Sequence, residues 1–397
     1  QQKTAYEIMP SLVGSEMCIR DSENTAVGSG ALSALVSNDH NTAFGASALN
    51  ANTVSNNTAF GYKAIYTNTT GGNNVGLGVS ALTSNTTASN NTGVGAYALG
   101  ANTTGTNLVA VGYGALDANT TANNSTAIGI NALGASNANY NTAVGAASLL
   151  SNTTGTDNTA VGNNSLRTNT TGANNIAVGS GALYTNNGGD NIAIGQGAMY
   201  SNTTGDQNVS MGRDALYANT TGSGTVAIGD AALKANTTGA RNTAVGREAL
   251  ENNTTGDYNV AIGAYALEDQ TTGSNNIAIG HQALEANNAS NNVAIGYAAL
   301  DANTTGTQNI AIGSYALSVN TTSGQTTAIG YAALQVSTGQ RNTAVGWNAG
   351  LSNTTGTGNV FLGAYAGDSN TTAANNTFVG YDAAPTVTTG GDNTALG

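Results

Sequence analysis

The side chains that most often catalyse reactions or bind metal ions are few in this sequence. Its two histidines, His40 and His281, stand at different positions of a repeat, with no cysteine or carboxylate at metal-site or triad spacing. It contains no Gly-x-x-x-x-Gly-Lys phosphate loop and no Gly-Gly-x-Gly-x-Asp calcium pattern. We therefore expect surface histidines, no catalytic residues, no cofactor and no metal site, and predict that the protein is not an enzyme.

The carboxylates are scattered along the chain. Asp157, Asp190, Asp206 and Asp257 fall in turns that precede a predicted strand, where Asp commonly forms the turn. A glycan hydrolase would need a carboxylate cluster on neighbouring repeats, and the sequence indicates none.

Tyrosines offer the best candidate binding surface. Numbered from a glycine that recurs every 16 or 17 residues (position 0), they take the variable positions +1, +2 and +5. We expect these rings to face outward in rows, because an amphipathic ring suits glycan or protein contact and repetition multiplies weak contacts. The alternative is that they only shield the edge of the fold. The candidate binding residues are Tyr62, Tyr97, Tyr113, Tyr265, Tyr297, Tyr315, Tyr331, Trp347, Tyr365 and Tyr381; Tyr66, Tyr184, Tyr200 and Tyr217 take position +5.

The element that must position these side chains is the repeat itself. The pattern is Asn-Thr-Ala-Val-Gly, two variable residues, Ala-Leu and then Asn-Thr-Thr-Gly, and it runs from Asn24 to Gly397. A unit this short cannot enclose a core, so each repeat must be one coil of a solenoid that buries its apolar side against its neighbours. The sequence predicts an all-β parallel β-solenoid of about 23 coils.

The alternation within each repeat predicts which side chains are buried. Positions −3 and −1 alternate with position −2, which is the period of a strand. We place −3 and −1 inside the coil, together with Leu at +4 from a second short strand around Ala-Leu. The glycine at position 0 forms a corner, and Asn-Thr-Thr-Gly forms the opposite turn with a stacked Asn ladder.

Position −2 then points outward, although it is Ala in eighteen of the twenty-three copies. A strip of small apolar side chains suits close packing against another backbone. We therefore expect a subunit interface there, most simply around a three-fold axis; the alternative is a small-residue wall that faces water. The candidate interface residues are Ala26, Ala43, Ala59, Ala160, Ala244 and Ala311.

Composition excludes several partners. Charged residues are 8% of the 397 residues, and the net charge is −12 with no basic run. Nucleic acid and anionic membranes are therefore poor partners. The sequence contains no run of about 18 apolar residues, the length that a membrane-spanning helix requires.

The ends depart from the regular pattern. Residues 1–23 lie outside the repeat, and residues 9–22 resemble a translated sequencing adapter, with an ordinary N-terminal cap as the alternative. The repeat domain spans residues 24–397, and its coils become atypical from about residue 346, where Gly350 and Gly367 replace Leu and Phe361 and Phe378 replace Ala. We interpret this drift as a change of cross-section toward a missing following domain. Both ends look truncated, which would remove any anchor or export signal.

The repeat Asn-Thr-Ala-Val-Gly-x-x-Ala-Leu, with variants such as Asn259-Val260-Ala261-Ile262-Gly263, resembles the head repeats of YadA-like trimeric autotransporter adhesins. The longer form, as in Asn202-Thr203-Thr204-Gly205, resembles arrays in bacterial and phage tail-fibre-domain proteins. The resemblance covers residues 24–397. It implies a left-handed β-roll that trimerises, on the cell surface or in a virion tail fibre, and that binds a host-cell, glycan or matrix receptor.

The leading functional hypothesis is thus a non-enzymatic, elongated surface fibre, either an adhesin head or a phage tail-fibre shaft. A second hypothesis is ice binding, because Thr recurs at −3 and in the turn. Against it, −3 alternates among Thr, Val and Ile and is expected to point inward, and adjacent turn threonines point in opposite directions. The Asn-Thr-Thr turns are formal N-glycosylation sequons, but we expect their asparagines to form turns with a stacked Asn ladder; the alternative is that a eukaryotic host modifies them.

Overall fold

The structure is a computed structural model that describes residues 23–397. It is an all-β parallel β-solenoid with 23 strands of three residues each, and these residues contain no helix. The expectations about residues 9–22, and about nearly all of segment 1–23, lie outside the described residues. The prediction of a parallel β-solenoid is confirmed.

The solenoid divides into two compact units, one ending at Asp190 and the other spanning Asn191–Gly397. The first unit contains β1 Thr25–Val27, β2 Thr42–Phe44, β3 Thr58–Phe60, β4 Val75–Leu77, β5 Thr92–Val94, β6 Val109–Val111, β7 Thr126–Ile128, β8 Thr142–Val144, β9 Thr159–Val161 and β10 Ile176–Val178. The second contains β11 Ile192–Ile194, β12 Val209–Met211, β13 Val226–Ile228, β14 Thr243–Val245, β15 Val260–Ile262, β16 Ile277–Ile279, β17 Val293–Ile295, β18 Ile310–Ile312, β19 Thr327–Ile329, β20 Thr343–Val345, β21 Val360–Leu362, β22 Thr377–Val379 and β23 Thr394–Leu396.

Each strand covers positions −3 to −1 of its repeat, and neighbouring strands pair in register. In the first unit Thr25 lies opposite Thr42, and in the second Val209 lies opposite Val226. The pairing is parallel, so within each unit a strand side chain lies beside its repeat equivalents on the neighbouring strands.

The glycine at position 0 makes the corner that ends each strand, as the sequence predicts. From Gly45 to Gly380 these glycines have φ between +127° and +142°, a region that L side chains rarely adopt. Space is also lacking: a Cβ on Gly229 would lie 2.3 Å from the carbonyl oxygen of Gly246, the next corner. Consecutive corners therefore pack backbone against backbone.

The second short strand expected around Ala-Leu does not form. The residues at +4, from Leu32 to Leu334, have φ between +49° and +55°, so the chain turns there. This turn still stacks from coil to coil, because the Leu216 N–H donates to the Ala232 carbonyl at 2.9 Å. The left-handed conformation costs Leu about 1–2 kcal/mol, and it points the side chain into the coil, where it is fully buried.

The expected orientation of the strands is wrong. Position −2 points into the coil: Ala43, Ala160 and Ala244 are all 0% exposed. Positions −3 and −1 point outward, as at Ile277, which is 38% exposed. The interior is too narrow for large side chains from both the strand and the Leu turn, so the strand contributes only a methyl group.

Two columns of buried asparagine complete the interior. The Asn of most Asn-Thr-Thr turns donates to its counterpart in the preceding coil, as Asn85 does to Asn68 Oδ1 at 2.9 Å, and to a carbonyl three residues on, as Asn85 does to Ala88 at 3.0 Å. This confirms the predicted turn ladder. A second column at position −4 was not predicted: the Asn57 side chain accepts from the Asn74 N–H at 2.9 Å and donates to the Gly71 carbonyl at 2.9 Å.

In the atypical last coils, different side chains fill the interior. Phe361 replaces Ala at −2 and is 0% exposed, while Gly350 and Gly367 replace Leu at +4. A Cβ on Gly350 would lie 2.5 Å from the Phe361 ring, and one on Gly367 would lie 2.4 Å from it. The ring therefore fills the space that Leu occupies elsewhere. The exchange of Ala and Leu for Phe and Gly accounts for these substitutions within the solenoid.

This exchange predicts coupled effects on stability. Phe361→Ala should cost about 3–5 kcal/mol because it leaves a cavity, and Gly350→Leu alone should cost about 1–3 kcal/mol because it overpacks against Phe361. The double variant restores the Ala and Leu pair of the other coils. Its loss of stability should therefore be smaller than the sum of the two single losses by about 1–3 kcal/mol.

Urea unfolding of the four proteins measures this coupling. The matched control is Gly350→Leu with Leu216→Ala, because Leu216 is also fully buried but lies eight coils away from Gly350. Additive effects in the Phe361 pair would contradict the proposed exchange of volume.

Candidate functional site

The outer side of the strands forms an apolar face in each unit. We call the −3 and −1 side chains of the strands the apolar sheet face. It contains only Thr, Val, Ile, Leu, Phe and Met, and no charged residue. Its −1 side chains are substantially exposed: Phe60 is 48% exposed, Met211 39% and Ile262 40%. In the first unit Phe44 and Phe60 stack with ring centroids 4.5 Å apart.

The predicted subunit interface therefore lies in the wrong place. A residue buried inside its own coil cannot contact another subunit, and each of the candidates is at most 3% exposed. The alternation of the strand positions was predicted correctly, but position −2 was expected to point outward and in fact points into the coil. The residues affected are Ala26, Ala43, Ala59, Ala160, Ala244 and Ala311.

The candidate aromatic residues all lie at the surface beyond the corner glycine. Those at +1 are exposed, as at Tyr331 and Trp347, whereas those at +2 in the second unit, such as Tyr315, are partly buried. In the first unit Tyr97 and Tyr113 meet edge to face at 5.8 Å, and the Lys63 ammonium lies 5.3 Å from the Tyr62 ring centroid. The expected outward orientation agrees with this placement.

In the second unit the +1 and +2 rings belong to one column. We call it the aromatic ladder. Its ring contacts run without a break from Tyr265 to Trp347 at centroid distances of 4.3–6.1 Å, and the pair Tyr365 and Tyr381 occupies the next two coils at 6.0 Å. Tyr365 follows Trp347 directly, because its N–H donates to the Trp347 carbonyl. The members are Tyr265, His281, Tyr297, Tyr315, Tyr331, Trp347, Tyr365 and Tyr381.

The ladder has a period of three coils. The +2 rings, Tyr265, Tyr315 and Tyr365, follow one another at intervals of 50 residues. Between them lie pairs of +1 rings, and both complete pairs stack with an interplanar angle of 16°. The +2 rings stand at 78–86° to their +1 neighbours. At the spacing of parallel strands, three coils advance by about 14 Å.

Both histidines are exposed, as expected, but His281 is more than an isolated surface residue. Its ring lies between Tyr265 at 5.5 Å and Tyr297 at 5.6 Å. His40 contacts Glu23. The place of His281 in the ladder was not predicted, because His281 at +1 and Tyr265 at +2 occupy different repeat positions and metal or catalytic spacings give no signal for a ring contact.

In the second unit, charged side chains lie at the surface of the coils that precede the ladder. Arg213 makes a bidentate ion pair with Asp230 on the next coil, with both N–O distances at 2.9 Å. The pair raises the pKa of the Arg213 guanidinium and lowers that of the Asp230 carboxyl, through hydrogen bonding first and then charge. The Arg247 guanidinium lies 4.5 Å from the centroid of Tyr265, the first ring of the ladder.

The carboxylates are not all scattered, contrary to expectation. Oxygens of Glu248, Glu251 and Glu268, which come from two neighbouring coils, lie within 4.8 Å of one another. Burial and the neighbouring carboxylates raise the pKa of Glu268 to about 6. Lys234 lies 3.5 Å from Glu251 and offsets part of the negative charge. The cluster was hard to foresee because its members occupy the different repeat positions +2 and +5.

The sequon asparagines are buried, which excludes them as modification sites in the folded protein. Asn102, Asn202 and Asn303 are 0% exposed, and their amides are engaged inside the turn. An oligosaccharide on such a nitrogen would have to replace the Asn ladder. The expected structural role of these asparagines is therefore confirmed, and the alternative of modification along this edge does not hold for the folded state.

Comparison with known proteins gives no relative: neither the models of known protein families nor the curated proteins contain a match to this sequence. Within residues 23–397 no helix is long and apolar enough to cross a membrane.

The carboxylate cluster predicts a pH-dependent stability. Because the pKa of Glu268 is raised from 4.5 to about 6, the folded state binds its proton more tightly than the unfolded state. The fold therefore gains stability as the pH falls from about 7 through 6, and the gain is complete below about 4.5. Glu268→Gln removes the carboxylate penalty and should raise the melting temperature at pH 7 but not at pH 4.

Melting curves across this pH range check the expectation, with Asp382→Asn, an exposed carboxylate outside the cluster, as the control. An equal increase at both pH values would show that charge in the cluster is not the cause.

Proposed function

We propose that the chain is a subunit of a non-enzymatic surface fibre that attaches to cells, glycans or matrix. The observation that carries the proposal is the pairing of two surfaces: an apolar sheet face suited to assembly and aromatic rows beyond the corner suited to attachment. The repeat's resemblance to adhesin heads supports it. The same resemblance favours an extracellular site, at the cell surface or in a virion tail fibre, and a left-handed coil.

The apolar sheet face supports assembly as a homotrimer. Monomeric soluble proteins seldom expose large continuous apolar surfaces, and this one repeats on thirteen strands in the second unit alone. Its β-branched side chains are spaced by the sheet and can interdigitate with those of another copy. Three copies around one axis would cover all three faces at once, without leaving an open surface.

A trimer predicts a native mass of three times 39.1 kDa by light scattering. Ile262→Asp places a charge on the exposed apolar sheet face and should release monomers, because the carboxylate would be desolvated at the interface. Ile130→Asp is the matched control, since Ile130 is also exposed, at 58%, but lies at +1 and outside the face. A monomeric wild-type protein would exclude the proposed assembly.

Attachment is expected to depend on the aromatic ladder. Replacing Tyr297, Tyr331 and Tyr381 together by Ser should lower retention of the protein on receptor-bearing cells by about tenfold or more, because many weak contacts act together. The control is the Tyr200 and Tyr217 pair, which stacks at 5.1 Å outside the ladder. Equal retention of both variants and the wild type would contradict an adhesive role for the ladder.

A phage tail-fibre shaft is the closest alternative within the same class. It uses the same assembly but needs no receptor contact along the ladder, so trimers whose adhesion is indifferent to the ladder variants would favour it.

Ice binding is a second candidate, and one observation favours it. Position −3 points outward, so the expectation that these threonines face inward is wrong. Thr42 and Thr58, for example, stand side by side in register on adjacent strands. Against this function, Thr occupies only twelve of the twenty-three −3 positions and Val or Ile the others. Thermal hysteresis in dilute solution would distinguish this function from a fibre.

A further inference from the structure

We propose that the aromatic ladder binds an extended, uncharged β-1,4-linked glycan that lies along the solenoid axis. This inference rests on the proposed attachment function and names the ligand class for it. The side chains that carry it are the ring column from Tyr265 to Tyr381 and the charges around it.

The ring orientations suit a chain that runs along the coils. Successive coils are displaced along the solenoid axis. Stacked +1 rings such as Tyr331 and Trp347, with centroids 4.3 Å apart, therefore have planes roughly perpendicular to that axis. Their edges and polar atoms therefore face outward. The +2 rings are turned by 78–86°, so their planes run along the axis. A pyranose ring in an extended chain also lies along its chain, and it can stack its C–H face on such a ring.

The spacing matches the ligand as well as the orientation. An extended β-1,4-linked chain advances per sugar by nearly the rise of one coil, about 4.8 Å. Successive sugars can therefore lie over successive coils. The +2 rings recur every three coils, as Tyr265, Tyr315 and Tyr365 do, so every third sugar would meet a stacking ring and the two sugars between would meet +1 ring edges.

Charge selects an uncharged glycan. From Gly263 to Gly397 the chain carries seven acidic residues and only one basic residue, Arg341, while Arg247 of the preceding coil lies against the first ring, Tyr265. Glu268, Glu285 and Asp301 occupy position +5 of successive coils, at the beginning of the ladder. These carboxylates would repel uronic-acid or sulfated chains, whereas sugar hydroxyls can donate hydrogen bonds to them.

The ladder contains its own reporter, because Trp347 is the single tryptophan of the chain and is 50% exposed. Titration of the full-length protein with cellohexaose and with chitohexaose should give a saturable change in its fluorescence. Affinity should rise from disaccharide to hexasaccharide, since a longer chain contacts more coils. Polygalacturonate, an anionic chain, should give no saturable change.

Tyr265→Ser combined with Tyr315→Ser removes two rings that lie along the axis and leaves Trp347 intact. The double variant should bind the hexasaccharide about tenfold or more weakly. The matched control is Tyr200→Ser with Tyr217→Ser, which should bind as the wild type does. Unchanged melting curves confirm that each variant is folded.

The outcomes separate this inference from the proposed function. If the folded protein gives no saturable signal with either hexasaccharide, or if the Tyr265 and Tyr315 variant binds as tightly as the wild type, the glycan assignment is wrong. If cell retention still depends on the ladder in that case, the attachment function stands with a different ligand. If cell retention is independent of the ladder as well, both fail.

Discussion

The contact between consecutive corner glycines sets the geometry of the rest of the molecule. Each corner packs its α-carbon against the carbonyl of the next, so the coils approach as closely as paired strands require. A side chain at a corner that is followed by another coil would push the two coils apart and break the register of the strands on both sides. This explains why the glycine recurs in all twenty-three repeats, whereas positions one or two residues later vary widely.

The narrow interior follows from that close approach and from the short coil. Leu at +4 fills most of the available space, at the expense of a left-handed backbone conformation, and only a small residue such as Ala fits across from it. Gly76 shows how limited the space is: a Cβ there would lie 2.6 Å from Ile65, the branched residue that replaces Leu. The larger strand residues must therefore face outward. The exposed apolar sheet face is thus a consequence of the small core.

The architecture could be predicted from the sequence, because a repeat of 16 or 17 residues with a glycine in every copy is compatible with only one kind of fold, a solenoid. It predicted strands at −3 to −1, a corner at 0 and an Asn ladder in the opposite turn. It did not predict the orientation, because alternation defines two faces without saying which is inside, and large apolar residues were assigned to the core by default. The asparagines at −4, such as Asn57 and Asn74, were visible in the sequence, but their polarity concealed that they are buried.

The surface features were harder to foresee because they combine different repeat positions. Positions +1 and +2 project from the same side of the corner, so Tyr265 and His281 meet although they are not equivalent. Likewise, Glu248 at +2 meets Glu268 at +5 of the next coil. A repeat alignment separates such residues into different columns, whereas stacking brings them together. In this solenoid, therefore, the repeat specifies the core, whereas the surface clusters form between residues at different repeat positions on neighbouring coils.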